Sequence, residues 1–177
     1  VLYGKENLLN AMSPFLTGGE MIESVTREGA VFAELPHKFE AGTVNGGGAW
    51  GLKAAIDYLN SIGFEAIEEK ENALTALAME ELKKIPHVHV IGSQDPKEHN
   101  GILNFTVDGV HPHDIASILD GAHVDVRAGH HCAQPLLAHL GVMVTTRASI
   151  SFYNSEEDVL RLIEQVKNIR RLMGYDE

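Results

Sequence analysis

The sequence predicts an α/β chain whose larger, C-terminal part is a compact α+β domain. Three observations predict this. From about residue 64 onward, short apolar strands alternate with amphipathic helices. The helices there carry their own punctuation: Pro86 follows one, Gly121 closes another and Ser155 stands ahead of the last. Hydrophobic content of 44% against 22% charged residues is ordinary for a chain that buries a core. The preceding residues read differently, as one strand, two helices and long glycine-rich loops, which are pieces of something larger. The expected division is therefore 1–63, a remnant of a bigger domain, and 64–177, a small domain of its own.

Taken in order, "VLYG" predicts a short buried strand ending at Gly4, and "KENLLNAM" the helix that follows. Pro14 and Gly18-Gly19 mark turns, with a short strand expected around Met21 to Val25. "FEAGTVNGGG" reads as a glycine-rich loop leading into a helix. In that helix Ala49, Leu52, Ala55, Ile56 and Leu59 recur at helical spacing before Gly63. A second helix is expected from about Phe64 to Ile85, with Ile67, Leu74, Leu77, Ala78 and Leu82 on one stripe. "VHVI", "ILNFTV", "VDVRA" and "TTRASISF" predict four strands. "HPHDIASILDG" and "PLLAHLG" predict helices between them. The last helix opens on Ser155, whose hydroxyl suits an N-cap, with Glu156, Glu157 and Asp158 at its positive end.

Composition narrows the function. Fourteen basic against 25 acidic residues give a net charge of -11, which argues against nucleic acid or an anionic membrane as partner. No apolar run reaches the length of a membrane span. A single cysteine forms no internal disulfide, so a cytoplasmic setting is expected. Val1 opening inside a strand-like run predicts a fragment of a longer chain.

The only cysteine, Cys132, lies in "RAGHHCAQPLLAHLG". Pro135 suits the first turn of a helix, so the thiol sits just before a helix start, where partial positive charge favours a thiolate. Arg127, His130 and His131 stand close by in sequence and push the same way. A buried structural cysteine is the alternative, and the polar, turn-like flanks weigh against it. The ten histidines include three close pairs, but none has zinc spacing with cysteine partners, so no metal is expected. In "TTRASISF", alternation sets Arg147 among serines on one strand face. There it suits two-point binding of a carboxylate as well as it suits a salt bridge. "AGTVNGGG" could offer N–H groups and the Thr43 hydroxyl to a phosphate, or simply connect two elements.

Together "RAGHHCAQPLL", "PFLTGGEMI", "FEAGTVN" and "AAIDYLNSIG" resemble segments of SufS-type (group II) cysteine desulfurases, in the same order. These are pyridoxal phosphate (PLP) enzymes of the class V aminotransferase group. The likeness implies the C-terminal portion of a PLP-dependent transferase of fold type I, with remnants of its large cofactor domain. It implies an enzyme that converts L-cysteine to L-alanine, leaving a persulfide on Cys132 and supplying sulfur for Fe–S cluster assembly. Arg147 matches the arginine that binds the substrate carboxylate, with Arg127 beside it. Thr43 matches the threonine that reaches the cofactor phosphate of a partner subunit in a homodimer, and His130 and His131 support the site. A SufE- or SufU-like protein is the implied sulfur acceptor. Val44 and Thr17 depart from the usual proline and glycine. The family's cofactor lysine belongs to a segment ahead of "VLYG", so this chain alone is expected to bind no cofactor and to be inactive. Selenocysteine lyase activity and a non-enzymatic sulfur-carrying module are the alternatives.

Overall fold

The computed structural model describes residues 1–175 and divides into two units, Val1–Tyr58 and Leu59–Glu177. The first unit is sparse. Helix α1 (Glu6–Ala11) is tied down by Lys38, whose ammonium donates to the carbonyls of Leu9 and Asn10 at 3.2 and 2.9 Å. A hairpin of β1 (Ile22–Val25) and β2 (Ala30–Phe32) turns on Thr26, whose hydroxyl accepts from the amides of Glu28 and Gly29. Met21, just ahead of β1, is the unit's one fully buried hydrophobic side chain among the described residues.

Two expectations for this part fail. "VLYG" is not a strand, and Val1, Leu2 and Tyr3 are exposed. A strand's backbone is satisfied only by a neighbouring ladder, and none of the described residues pairs with it. The glycine-rich loop is shorter than expected, because α2 (Gly46–Ile62) already includes Gly46, Gly47 and Gly48. The Asn45 side chain explains the early start: its Oδ1 accepts from the Gly48 amide at 2.8 Å, satisfying one of the helix's unpaired donors. The α2 stripe has the predicted spacing but is not buried. Periodicity reports which face is apolar; burial also needs a surface to cover it.

The second unit is a sheet with one face covered. Helix α3 (Phe64–Lys83) follows Gly63, which takes the left-handed φ of +91° that ends α2. Strands β3 (Val88–Ile91), β4 (Ile102–Val107), β5 (Arg127–Gly129) and β6 (Thr145–Ser149) form an antiparallel sheet in the order β3-β4-β6-β5. Helix α4 (Pro112–Gly121) links β4 to β5, the short α5 (Gln134–His139) links β5 to β6, and α6 (Glu156–Leu172) closes the chain. Its start is a capping box. The Ser155 hydroxyl accepts from the Asp158 amide, and the Asp158 carboxylate accepts from the Ser155 amide.

Alternation along the strands sorts side chains to the two faces. Leu103, Phe105 and Val107 of β4 and Ala148 of β6 point into the core. There they meet Leu74, Ala78 and Leu82 of α3, Ile115 and Leu119 of α4, and Ile163, Val166 and Ile169 of α6. Each buried aliphatic or aromatic side chain here is worth roughly 1.5–3 kcal/mol in area removed from water. The intervening residues, Asn104 on β4 and Thr145 and Arg147 on β6, take the opposite face. β5 is shorter than "VDVRA" predicts: pairing begins only at Arg127, and Val124 to Val126 approach it without joining the ladder.

Candidate active site

The candidate residues gather on the face of this sheet opposite the helices. Cross-strand register sets Asn104 opposite Arg147, and Arg147 opposite Arg127, so the three side chains form a row across β4, β6 and β5. Like charges directly opposite each other in a sheet are unfavourable. No carboxylate among the described residues forms an ion pair with either arginine. Arg147 is half-buried, and its buried Nε donates to none of the described residues. Among the described residues Arg147 therefore has no salt-bridge partner, and a carboxylate of another molecule would suit its guanidinium.

β5 ends at Gly129 and the chain passes through His130, His131 and Cys132 before α5. His131 and Cys132 both adopt left-handed backbone, with φ of +54° and +58°. Residues with a Cβ occupy that region at a cost on the order of 1–3 kcal/mol each, and hold it only where surrounding bonds enforce it. One such bond comes from the imidazole of His131. Its Nε2 lies 3.1 Å from the Thr145 carbonyl and 2.8 Å from the Thr145 hydroxyl. Burial holds this imidazole below the usual histidine range; the positive Arg147 and Arg127 and neighbouring His130 act the same way, against the hydrogen bond to Thr145.

Cys132 is exposed, with its sulfur 3.6 Å from an Arg127 Nη2 that donates to it. The predicted helix start does follow, at Gln134 after Ala133. With only six residues in α5, the guanidinium is the nearer and stronger positive charge. Cys132, Arg127, His130 and His131 line one open cleft of about 730 Å³, joined by His111 and His113 from the start of α4. Among the described residues no carboxylate lines it, although the chain as a whole carries -11. Such a cleft concentrates small anions rather than cations.

The structure thus brings Arg127, His130, His131 and Cys132 together, with Arg147 opposite Arg127 on the adjoining strand. Thr43 belongs to the first unit, where it lies exposed in a bend three residues ahead of α2. The sequence reading did not single out Asn104 and Thr145. Their signal was present, as polar residues alternating with fully buried Leu103 and Phe105 on β4 and preceding Arg147 on β6. His111 was noticed only as one of many histidines; its Nδ1 accepts from the His113 amide, so it serves as the cap of α4.

A mixed α/β unit thus presents an exposed thiol beside an arginine-bearing sheet face, an arrangement whose charge suits a small anion. Known proteins place it more closely. Residues 1–162 match the family described as aminotransferase class V, and the chain belongs to that family. A Streptomyces coelicolor protein named "probable cysteine desulfurase" is 42% identical over 174 residues, which is 98% of this chain and 42% of that protein. The crystal structure of the cysteine desulfurase CsdA, in its S-sulfonic acid form from Escherichia coli, is 40% identical with a TM-score of 0.88. It is covered over 96% of this chain and 42% of its own. A C-DES mutant with glycine covalently linked to its PLP cofactor shares the fold at 22% identity and TM-score 0.74, over 94% of this chain and 40% of its own. The chain therefore spans about two fifths of the length of the relatives it matches, and its mixed α/β fold is that of one part of such enzymes.

Proposed function

We propose that this chain is the thiol-bearing portion of a SufS-type, PLP-dependent cysteine desulfurase that turns L-cysteine into L-alanine and a persulfide on Cys132. The observation that carries this reading is the exposed Cys132 sulfur with the Arg127 guanidinium 3.6 Å away, on the rim of a cleft that no carboxylate of the described residues lines. Likeness to proteins named as cysteine desulfurases supports it.

Arg147 binds the substrate carboxylate through two parallel N–H bonds, since no described residue competes for it. Arg127 holds the Cys132 sulfur and presents positive charge to it as it approaches the substrate. The Cys132 sulfur forms a bond to the substrate sulfur as the substrate's carbon–sulfur bond breaks. The bonding pair stays with the carbon, which takes up a proton and leaves as alanine. The sulfur now on Cys132 passes to the thiol of a SufE- or SufU-like acceptor, for Fe–S cluster assembly in the cytoplasm.

The residues of the first unit fit a phosphate. The Thr43 side chain is exposed, and a Cβ built on Gly46 meets nothing within 4 Å, leaving open approach to the start of α2. Thr43 would meet the phosphate of PLP held by the other subunit of a homodimer. When bound, PLP supplies an electron sink for the substrate's α-carbon.

The test is mass spectrometry of the full-length protein after incubation with L-cysteine. The unmodified protein gains one sulfur atom on the peptide containing Cys132, and Cys132→Ala forms no alanine above background. Alanine production at the wild-type rate by Cys132→Ala would remove Cys132 from the reaction.

A further inference from the structure

The loop that carries Cys132 is pinned to the sheet by the His131 side chain, whose bonds leave little choice of proton position. His131 Nε2 lies within hydrogen-bond distance of the Thr145 main-chain oxygen, an atom that only accepts. Nε2 must therefore carry the proton. The same nitrogen also meets the Thr145 hydroxyl at 2.8 Å. That hydroxyl donates its own proton to Asn104 Oδ1 at 3.3 Å, so towards His131 it accepts. Thr145 is fully buried, so water does not compete for these bonds. Nδ1 is left as a buried lone pair that meets no donor among the described residues.

From this we infer that Asn104, Thr145 and His131 form a relay across β4, β6 and the cysteine loop. It fixes His131 as the Nε2–H tautomer and makes His131 the positioning residue for the Cys132 thiol. The relay spans three separate stretches of chain and ends one residue from the sulfur. It holds the left-handed pair His131–Cys132 against its backbone cost and thereby keeps the sulfur within reach of Arg127. A neutral His131 also adds no third positive charge beside Arg127 and Arg147. The charged or titratable groups acting on it are Arg147 from β6, Arg127 from β5 and His130 from its own loop. His111 and His113 of α4 line the same cleft. The inference rests on the reading of Cys132 as the working thiol, but its test does not require sulfur transfer.

The tautomer is read directly from the ring nitrogen shifts of His131 in 15N-labelled protein at neutral pH. The Nε2–H form is expected, with a mixture of tautomers in Thr145→Val. Alkylation of Cys132 by iodoacetamide is followed in the same samples on the peptide that carries it. Thr145→Val should alkylate at least threefold more slowly as the sulfur leaves Arg127, and Thr145→Ser should restore the rate. An Nδ1–H tautomer in the unmodified protein overturns the inference even if no variant folds. So does a wild-type alkylation rate in folded Thr145→Val. Neither result bears on whether Cys132 accepts sulfur, which the persulfide measurement decides separately.

Discussion

Phe105 and Arg147 sit on neighbouring strands of one sheet and face opposite ways, so replacing each by alanine should separate folding from function. Phe105 has no exposed surface and lies among α3, α4 and α6. Cutting it to alanine removes the ring and leaves a void that a packed interior closes only in part, at a cost of about 3–5 kcal/mol. Against a domain stability on the order of 5–15 kcal/mol, that is a large fraction. In a thermal scan it corresponds to roughly 10–20 °C. Arg147 is half-buried and its Nε has no partner among the described residues, so Arg147→Ala gives up only the packing of its stem, about 0.5–1 kcal/mol. Urea unfolding followed by circular dichroism measures both. In the full-length enzyme Arg147→Ala should lower kcat/KM for L-cysteine by about a hundredfold or more, in line with a lost charged bond of roughly 3 kcal/mol. The reasoning is refuted if Phe105→Ala loses less than about 1.5 kcal/mol, or if Arg147→Ala is as destabilised as Phe105→Ala.

Two further outcomes follow from single residues. His131 is held below the ordinary histidine value, so the unfolded chain protonates first as pH falls; its contribution to stability is present above about pH 6.5 and is lost as pH drops through the lower folded value. Urea midpoints compared at pH 7.5 and 5.5 should fall in the wild type and fall less in His131→Gln. Gly101 precedes β4 with φ +75°, and a Cβ there would lie 2.3 Å from the Ile150 carbonyl oxygen, which is backbone and does not swing aside. Gly101→Ala should cost at least about 2 kcal/mol, and an unchanged unfolding midpoint would contradict this geometry.

Most of the second unit was legible in the sequence because its signals are local. Ser155 with Asp158 three residues on gives the start of α6, and alternation in "ILNFTV" gives β4 and its buried face. α3 ends at Lys83, two residues before the expected Ile85, as helix ends fray ahead of a proline. The failures share a different cause. "VLYG" has strand composition without a strand's neighbour, and the α2 stripe has helical spacing without a covering surface. Both depend on residues far away in sequence, which a local pattern does not encode. β2 was missed because three residues are too few to show alternation. At the site, Cys132 and Arg147 stood out by chemical type. Asn104 and Thr145 did not, because their importance comes from strand register, which pairs positions about forty residues apart.

Register also sets what kinds of change this sheet tolerates. Within β6 a residue of the face opposite the helices and a residue of the core are adjacent, Arg147 and Ala148, and both strands flanking β6 read the same frame. Swapping one side chain for another disturbs one position. Adding or deleting a single residue within the strand shifts every later position to the wrong side, driving a guanidinium into the core and an alanine onto the opposite face. The strand is therefore constrained in length more strictly than in composition, much as a coding frame is. Variation in the number of residues is absorbed instead by the turns, such as the segment between α5 and β6, where an extra residue leaves both frames intact.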